Sequence, residues 1–187
     1  AKGGHNAESH NHNDVGQIIV MHDGAPVLVD PGVETYTAKT FSDRRYEIWT
    51  MQSAYHNLPS VGGYMQRPGA NAAARDVTFE DEGPRVRMEL ELADAYPAEA
   101  GILAWRRAVT LDREAGTVVL TDSFRVDSSR PIEWTFMTPT EPAVNPADGT
   151  IALAGGVSLS IGGLGLTPRI ERVAIEDARL APHWGSA

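Results

Sequence analysis

From Arg85 to Leu92 the chain alternates strictly. Val86, Met88, Leu90 and Leu92 are apolar, and the residues between them, Arg87, Glu89 and Glu91, are charged. Successive side chains of an extended chain point to opposite faces, so this pattern predicts a strand with one face buried and one in water. A chain that must bury such a face needs further strands beside it and a second layer above it. The rest of the sequence supplies candidates. Ile18–Met21 and Val27–Val29 flank Asp23-Gly24, a two-residue hairpin signal. Leu103–Leu111 and Thr117–Val126 flank a second turn at Asp112–Gly116. Ile132–Met137, Thr150–Leu153, Val157–Ile161 and Arg169–Ile175 follow, each bounded by Pro, Gly, Asn or Asp. With 18 glycines and 12 prolines as punctuation, about ten strands are expected. Helical turns are expected only near Ser42–Trp49 and Asn71–Ala74. The predicted fold is all-β, a multi-stranded antiparallel β-sandwich, with residues 1–187 as one unit.

Composition narrows the function. Sixteen basic and 25 acidic residues leave a net charge of −9, which disfavours electrostatic binding to nucleic acid. A polyanionic ligand would be repelled at long range and would need a local basic patch or another domain. Lys39, Arg44, Arg45 and Arg67 are the candidates for such a patch. No apolar run approaches membrane-spanning length. The absence of cysteine excludes disulfides, thiolate metal sites and a cysteine nucleophile. The start at Ala1-Lys2-Gly3-Gly4 shows no signal peptide, so one has been removed or the chain is an excised piece.

Chemistry concentrates in three segments. His10-Asn11-His12-Asn13-Asp14 places two imidazoles and a carboxylate at alternate positions, on one side of the chain if it is extended. Val29-Asp30-Pro31-Gly32 puts a carboxylate at the end of a buried strand, and Ser53-Ala54-Tyr55-His56-Asn57 adds a third imidazole. Without thiolates, zinc takes imidazole nitrogen and carboxylate oxygen, so His12, Asp30 and His56 form a candidate ligand set. Alternatively, one histidine of the pair binds metal while its neighbour faces a substrate. Ordinary roles are also open: a loop hydrogen bond for His12, a turn cap for Asp30, a core histidine at His56. Register arithmetic separates them further. A hairpin centred on Asp23-Gly24 sets Asp30 opposite Gln17, leaving His12 about 17 Å away along a straight strand. The three meet only if the chain bends between Asn13 and Gly16, where Gly16 and Asn13-Asp14 permit it.

Other residues carry weaker signals. Tyr36 and Tyr46 could line a cleft or bond the backbone. Gln52 and Asn57 could contact sugar hydroxyls or stabilise turns. Arg44-Arg45 reads more readily as a solvated surface pair than as a carboxylate clamp. Tyr55, Trp49, Trp105, Trp134 and Trp184 read as core, and His5, His22 and His183 receive no function. A metal-dependent hydrolase would need a spare general base, for which Glu8 is the weak candidate.

The ordered set of segments resembles a known family. Lys2-Gly3-Gly4-His5-Asn6, then His10 through Gly16, Val29–Gly32, Tyr46-Glu47-Ile48-Trp49-Thr50 and Ser53–Asn57 are similar to the C-terminal domain of heparinase II/III-like polysaccharide lyases. The match is dense over roughly the first 70 residues. Beyond them it rests on Thr121-Asp122-Ser123-Phe124 and His183-Trp184-Gly185. The resemblance implies a super-sandwich-like sheet domain, preceded in the whole enzyme by an α/α toroid that this chain lacks. It implies β-elimination on a uronic-acid-containing polysaccharide, a glycosaminoglycan or alginate-like polymer, in the periplasm or outside the cell. It assigns His10 to proton transfer, and His12, Asp30 and His56 to one structural zinc. The catalytic tyrosine and the carboxylate-neutralising Asn or His would lie in the toroid, so the fragment alone should be inactive. A non-catalytic, metal-stapled carbohydrate-binding sandwich is the alternative.

Overall fold

A computed structural model describes residues 1–127, 129–162 and 165–185. Among them the chain forms short strands joined by turns and 3₁₀ segments. In chain order these are β1 (His5–Asn6), β2 (Val20–His22), β3 (Ala25–Leu28), β4 (Pro59–Val61), β5 (Gly69–Ala73), β6 (Arg75–Asp81) and β7 (Arg85–Glu91). They continue as β8 (Ile102–Asp112), β9 (Thr117–Val126), β10 (Ile132–Trp134), β11 (Ala143–Val144), β12 (Ile151–Ala152) and β13 (Ser158–Leu159). One α-helical turn, α1 (Ala181–Trp184), follows. The fold is all-β, and every ladder is antiparallel.

The largest sheet is a meander in the order β6-β7-β8-β9. Its alternation is the one read from the sequence: Leu90 opposes Arg107 on the inner face and Glu89 opposes Ala108 on the outer. The β8–β9 turn closes because Asp112 Oδ1 accepts the amides of Glu114 and Ala115. Above the inner face lies the pair β4–β10, which brings Val61 and Trp134 against the meander. Trp105 is fully buried there, stacked on Phe124 at 4.6 Å and tilted against Trp134 at 5.6 Å. Val15, Leu90, Leu92, Ala95 and Tyr96 complete the core. Trp105 is therefore core, as its spacing suggested.

Two expectations change, and one strand had no forecast. Asn71–Ala74 is not a helical turn: Asn71 to Ala73 lie in β5, and Ala73 pairs with His5. Its alanines favour helix locally, but a partner strand satisfies the backbone and buries Ala72 and Ala73. Arg169–Ile175 forms no ladder; alternation predicts extension, but a strand also needs a free edge beside it. Conversely, β6 is exposed along its length and gives no burial pattern, yet it pairs with β7 around a bulge between Arg75 and Thr78.

Candidate functional site

The bend required by register occurs. Gln17 N–H donates to Asp14 O, and Gly16 takes φ +86°. A Cβ at Gly16 would stand 2.7 Å from Leu92 Cδ2, so glycine is needed for conformation and for space. The His10–Asp14 segment is not an extended strand, and its three groups part company. His10 adopts a left-handed backbone, φ +58°, and is exposed. His12 turns into the protein. Asp14 pairs with Lys2 and takes no part in the His12 cluster.

Asp30 and His56 reach His12 by local devices that their sequence contexts explain. Asp30 Oδ1 accepts the Gly32 amide at 2.7 Å, a turn that Gly32 closes at φ +80°. This leaves Oδ2 free to face His56 Nε2 at 3.4 Å. The turn cap and the candidate ligand are thus one residue, using one oxygen each. Behind this turn, Trp184 Nε1 donates to Pro31 O, pinning α1 against it. Asn57 anchors the third segment: its side chain donates to Ile18 O and Val29 O, bridging the entries to the β2–β3 hairpin, and accepts the Met137 amide. Asn57 is buried and committed to the backbone, so its role is structural. Gln52, which donates to Tyr46 O, is also turned inward.

His12 Nδ1 lies 3.2 Å from His56 Nε2, and the candidate ligand atoms of His12, Asp30 and His56 all lie within 4.8 Å of one another. His56 has no exposed surface, His12 is buried and Asp30 is half-buried. His56 Nδ1 is 2.8 Å from Gln52 O. A carbonyl can only accept, so the ring proton is assigned to Nδ1, and Nε2 turns its lone pair toward His12 and Asp30. Lone pairs converging in a buried space require a proton or a cation among them. Ligands about 2.1 Å from a tetrahedral zinc stand roughly 3.4 Å from each other, close to the 3.2 Å of His12–His56 and the 3.4 Å of His56–Asp30. Burial lowers the His12 pKa below the ordinary imidazole value of 6.5, and His56 lowers it further, while Asp30 opposes the shift. For Asp30, burial acts to raise the pKa, but His56 when it carries a second proton at Nε2, the Gly32 amide and His12 together hold it below 3.8. A neutral imidazole beside an ionised carboxylate is the state that binds a divalent cation. The three residues lie close enough to hold one, and their chemistry fits it.

His10 faces outward. Its ring stacks on Tyr36 at 6.2 Å, with the Tyr36 hydroxyl 3.5 Å from Nδ1. Phe41, 69% exposed, meets the Tyr36 edge, and the Arg179 guanidinium lies over the Tyr36 face. An imidazole in this setting can exchange protons with a solvent-side ligand.

Residue types alone did not reveal the site's two supports. Arg107, 1% exposed, makes a two-point pair with Asp122 at 2.8 and 2.7 Å. Its remaining arm donates to Gly16 O and Asn57 O, tying the bend and the His56 segment to the meander. Arg45 donates Nε and Nη2 to Asn11 O, between the two histidines. The Arg44-Arg45 pair thus divides: Arg44 stays exposed against Glu47, and Arg45 turns inward. The Tyr46 hydroxyl accepts from the Asn11 side-chain amide at 3.3 Å, a side-chain partner where a backbone one was expected.

No helix of the described residues is long and apolar enough to cross a membrane. Among curated proteins, none matches the chain. The family model described as Heparinase II/III-like, C-terminal, matches residues 1–179, the span that contains His10, both supports and all three cluster residues. With this match over nearly the whole length, and the all-β fold beneath it, the chain belongs to the heparinase II/III-like C-terminal domain family.

Proposed function

We propose that residues 1–187 form the sheet domain of a lyase that cleaves a uronic-acid-containing polysaccharide by β-elimination, with His10 in proton transfer. The supporting observation is the division of labour within one short segment. His12 is buried in a three-residue cluster suited to a cation, while His10 stands exposed beside Tyr36. The zinc would be held by His12, Asp30 and His56, where it cross-links three distant segments and keeps their chain geometry.

In the elimination, a base takes the C5 proton of the uronate. The electron pair left behind forms the C4–C5 double bond, and the C4–O4 bond breaks as an acid protonates the leaving oxygen. Imidazole suits either transfer near neutral pH. In His10, Nδ1 is directed at the Tyr36 hydroxyl, which leaves Nε2 to face the substrate. The negative net charge of this chain calls for the groups that neutralise the sugar carboxylate to come from elsewhere, and an N-terminal toroid domain is the proposed source. A polymer of this kind places the enzyme in the periplasm or outside the cell.

The test is His10→Ala in the full-length protein, assayed by the ultraviolet absorbance of the unsaturated product. Turnover should fall by about 10²- to 10⁴-fold, with metal content and unfolding temperature unchanged. Full activity in this variant would remove His10 from the chemistry. Full-length protein without lyase activity on any uronide would leave a metal-stapled carbohydrate-binding module.

A further inference from the structure

Every nitrogen of the Arg45 guanidinium donates to a backbone carbonyl, and two carbonyls receive them. Nε and Nη2 converge on Asn11 O at 2.9 and 2.8 Å, and Nη1 donates to Thr40 O at 2.9 Å. Asn11 follows His10, whose left-handed backbone is uncommon for a residue with a Cβ and has to be held by its surroundings. Thr40 is buried, adjoins Phe41 and lies in the loop that carries Tyr36. The two carbonyls therefore belong to the two chain segments whose side chains stack on the exposed face: His10 from one, Tyr36 and Phe41 from the other.

His12 has separate anchors. Asn13 N–H donates to Met51 O, and the His12 ring meets His56. The Asn11 carbonyl belongs to the Asn11–His12 peptide, so removing the Arg45 fork loosens the link between the two histidines; His12 keeps its Met51 and His56 anchors, while His10 is left with its contact to Tyr36. From this geometry, and resting on the reading of His10 as the proton-transfer group, we infer that Arg45 is a positioning residue for His10. Its fork holds the Asn11–His12 peptide, which ties the His10 backbone to the anchored cluster, and its third arm fixes the loop against which the His10 imidazole stacks. Each of its three nitrogens donates to a backbone carbonyl, so the guanidinium is fixed by the fold before any ligand arrives.

Lysine discriminates between these roles. It keeps the charge and most of the stem, but an ammonium is a point donor that cannot hold two carbonyls in a planar fork. In the full-length protein, Arg45→Met and Arg45→Lys should both lower kcat by roughly 10- to 100-fold, as misplacing a reacting group does, with KM within about twofold of wild type. Metal content should stay at the wild-type value, and the ring resonances of His10 should move while those of His12 and His56 hold. Should Arg45→Met fold poorly, Arg45→Lys carries the test. A raised KM that lysine restores would make Arg45 a substrate contact and overturn the inference. Unchanged kcat, or metal loss in the folded lysine variant, would overturn it as well. His10→Ala run alongside separates the two levels: if it too is fully active, the proposed function has failed rather than the role of Arg45.

Discussion

His10 and His12 are one residue apart, and the molecule treats them as different chemical groups. His12 is desolvated, its pKa lowered, and its ring set among a carboxylate and a second imidazole. His10 lies at the surface against Tyr36, which in turn meets Phe41. The supports differ in the same sense. Arg107 holds the His56 segment from within the core, paired two-point with Asp122, which also accepts the Trp134 indole N–H. Arg45 holds the His10 segment from the rim, using backbone carbonyls alone. The lesson is that a histidine's chemistry is set by which side of a peptide its ring leaves. Burial and close neighbours lower the pKa of the inward ring and suit it to a cation, while the outward ring lies open to solvent.

The comparison breaks most visibly at the supports. Arg107→Met would leave Asp122 buried without its partner and should cost about 3–5 kcal/mol of stability, read by urea unfolding. The rim substitution Arg45→Met should cost less, about 1–3 kcal/mol, because it removes the donors to two backbone carbonyls but leaves no buried charge behind. Equal losses would mean that the two arginines do the same work and that the division drawn between core and rim is false.

Metal content sharpens the comparison on the other axis. His12→Ala and Asp30→Ala should each take bound zinc from about one per chain to near zero by elemental analysis, since a three-residue set does not survive losing one member. His10→Ala should leave it untouched. Zinc retained by both cluster variants would return His12, Asp30 and His56 to ordinary hydrogen bonding.

Acid should produce the smallest and most graded effect. The His12 pKa is lower in the folded chain than the ordinary 6.5, so below that pH the unfolded chain takes up the proton first. This site carries no penalty above pH 6.5, and stability is lost as pH falls toward the folded pKa. Asp30 works in the same direction at lower pH: its lowered pKa adds stability above 3.8 that disappears as pH falls through the folded value. Zinc affinity should decline over the His12 window too, because protons compete for the ring. Unfolding temperature measured against pH for wild type and His12→Gln checks this. Curves that stay parallel between pH 7 and 5 would exclude His12 as the titrating group.

Much of this was legible in the sequence, for reasons that can be located. Arg85–Leu92 announced its buried face because alternation records burial directly, and the inner face of β7 carries the residues it named. Asp30-Pro31-Gly32 read as a turn because its geometry is local, and the need for a bend near Gly16 followed from counting residues along a hairpin. Exposed β6 was silent, since a strand without a buried face leaves no pattern. Arg45 read as half of a surface pair because its partner Asn11 lies 34 residues away and contributes only a carbonyl, which every residue has. Arg107 was hidden in the same way, with its carbonyl partners Gly16 and Asn57 91 and 50 residues distant.

Residue types and spacings by themselves determined the all-β class, the main turns and the three segments that carry chemistry, because hydrophobic period, turn stereochemistry and ligand type are properties of neighbouring residues. Tertiary structure alone decided that His12 turns in while His10 turns out, that Asp14 leaves the cluster for Lys2, and that two arginines hold the His10–His12 and His56 segments by their carbonyls. Those outcomes depend on which distant backbone groups come within hydrogen-bonding reach, and only the packed chain brings them there.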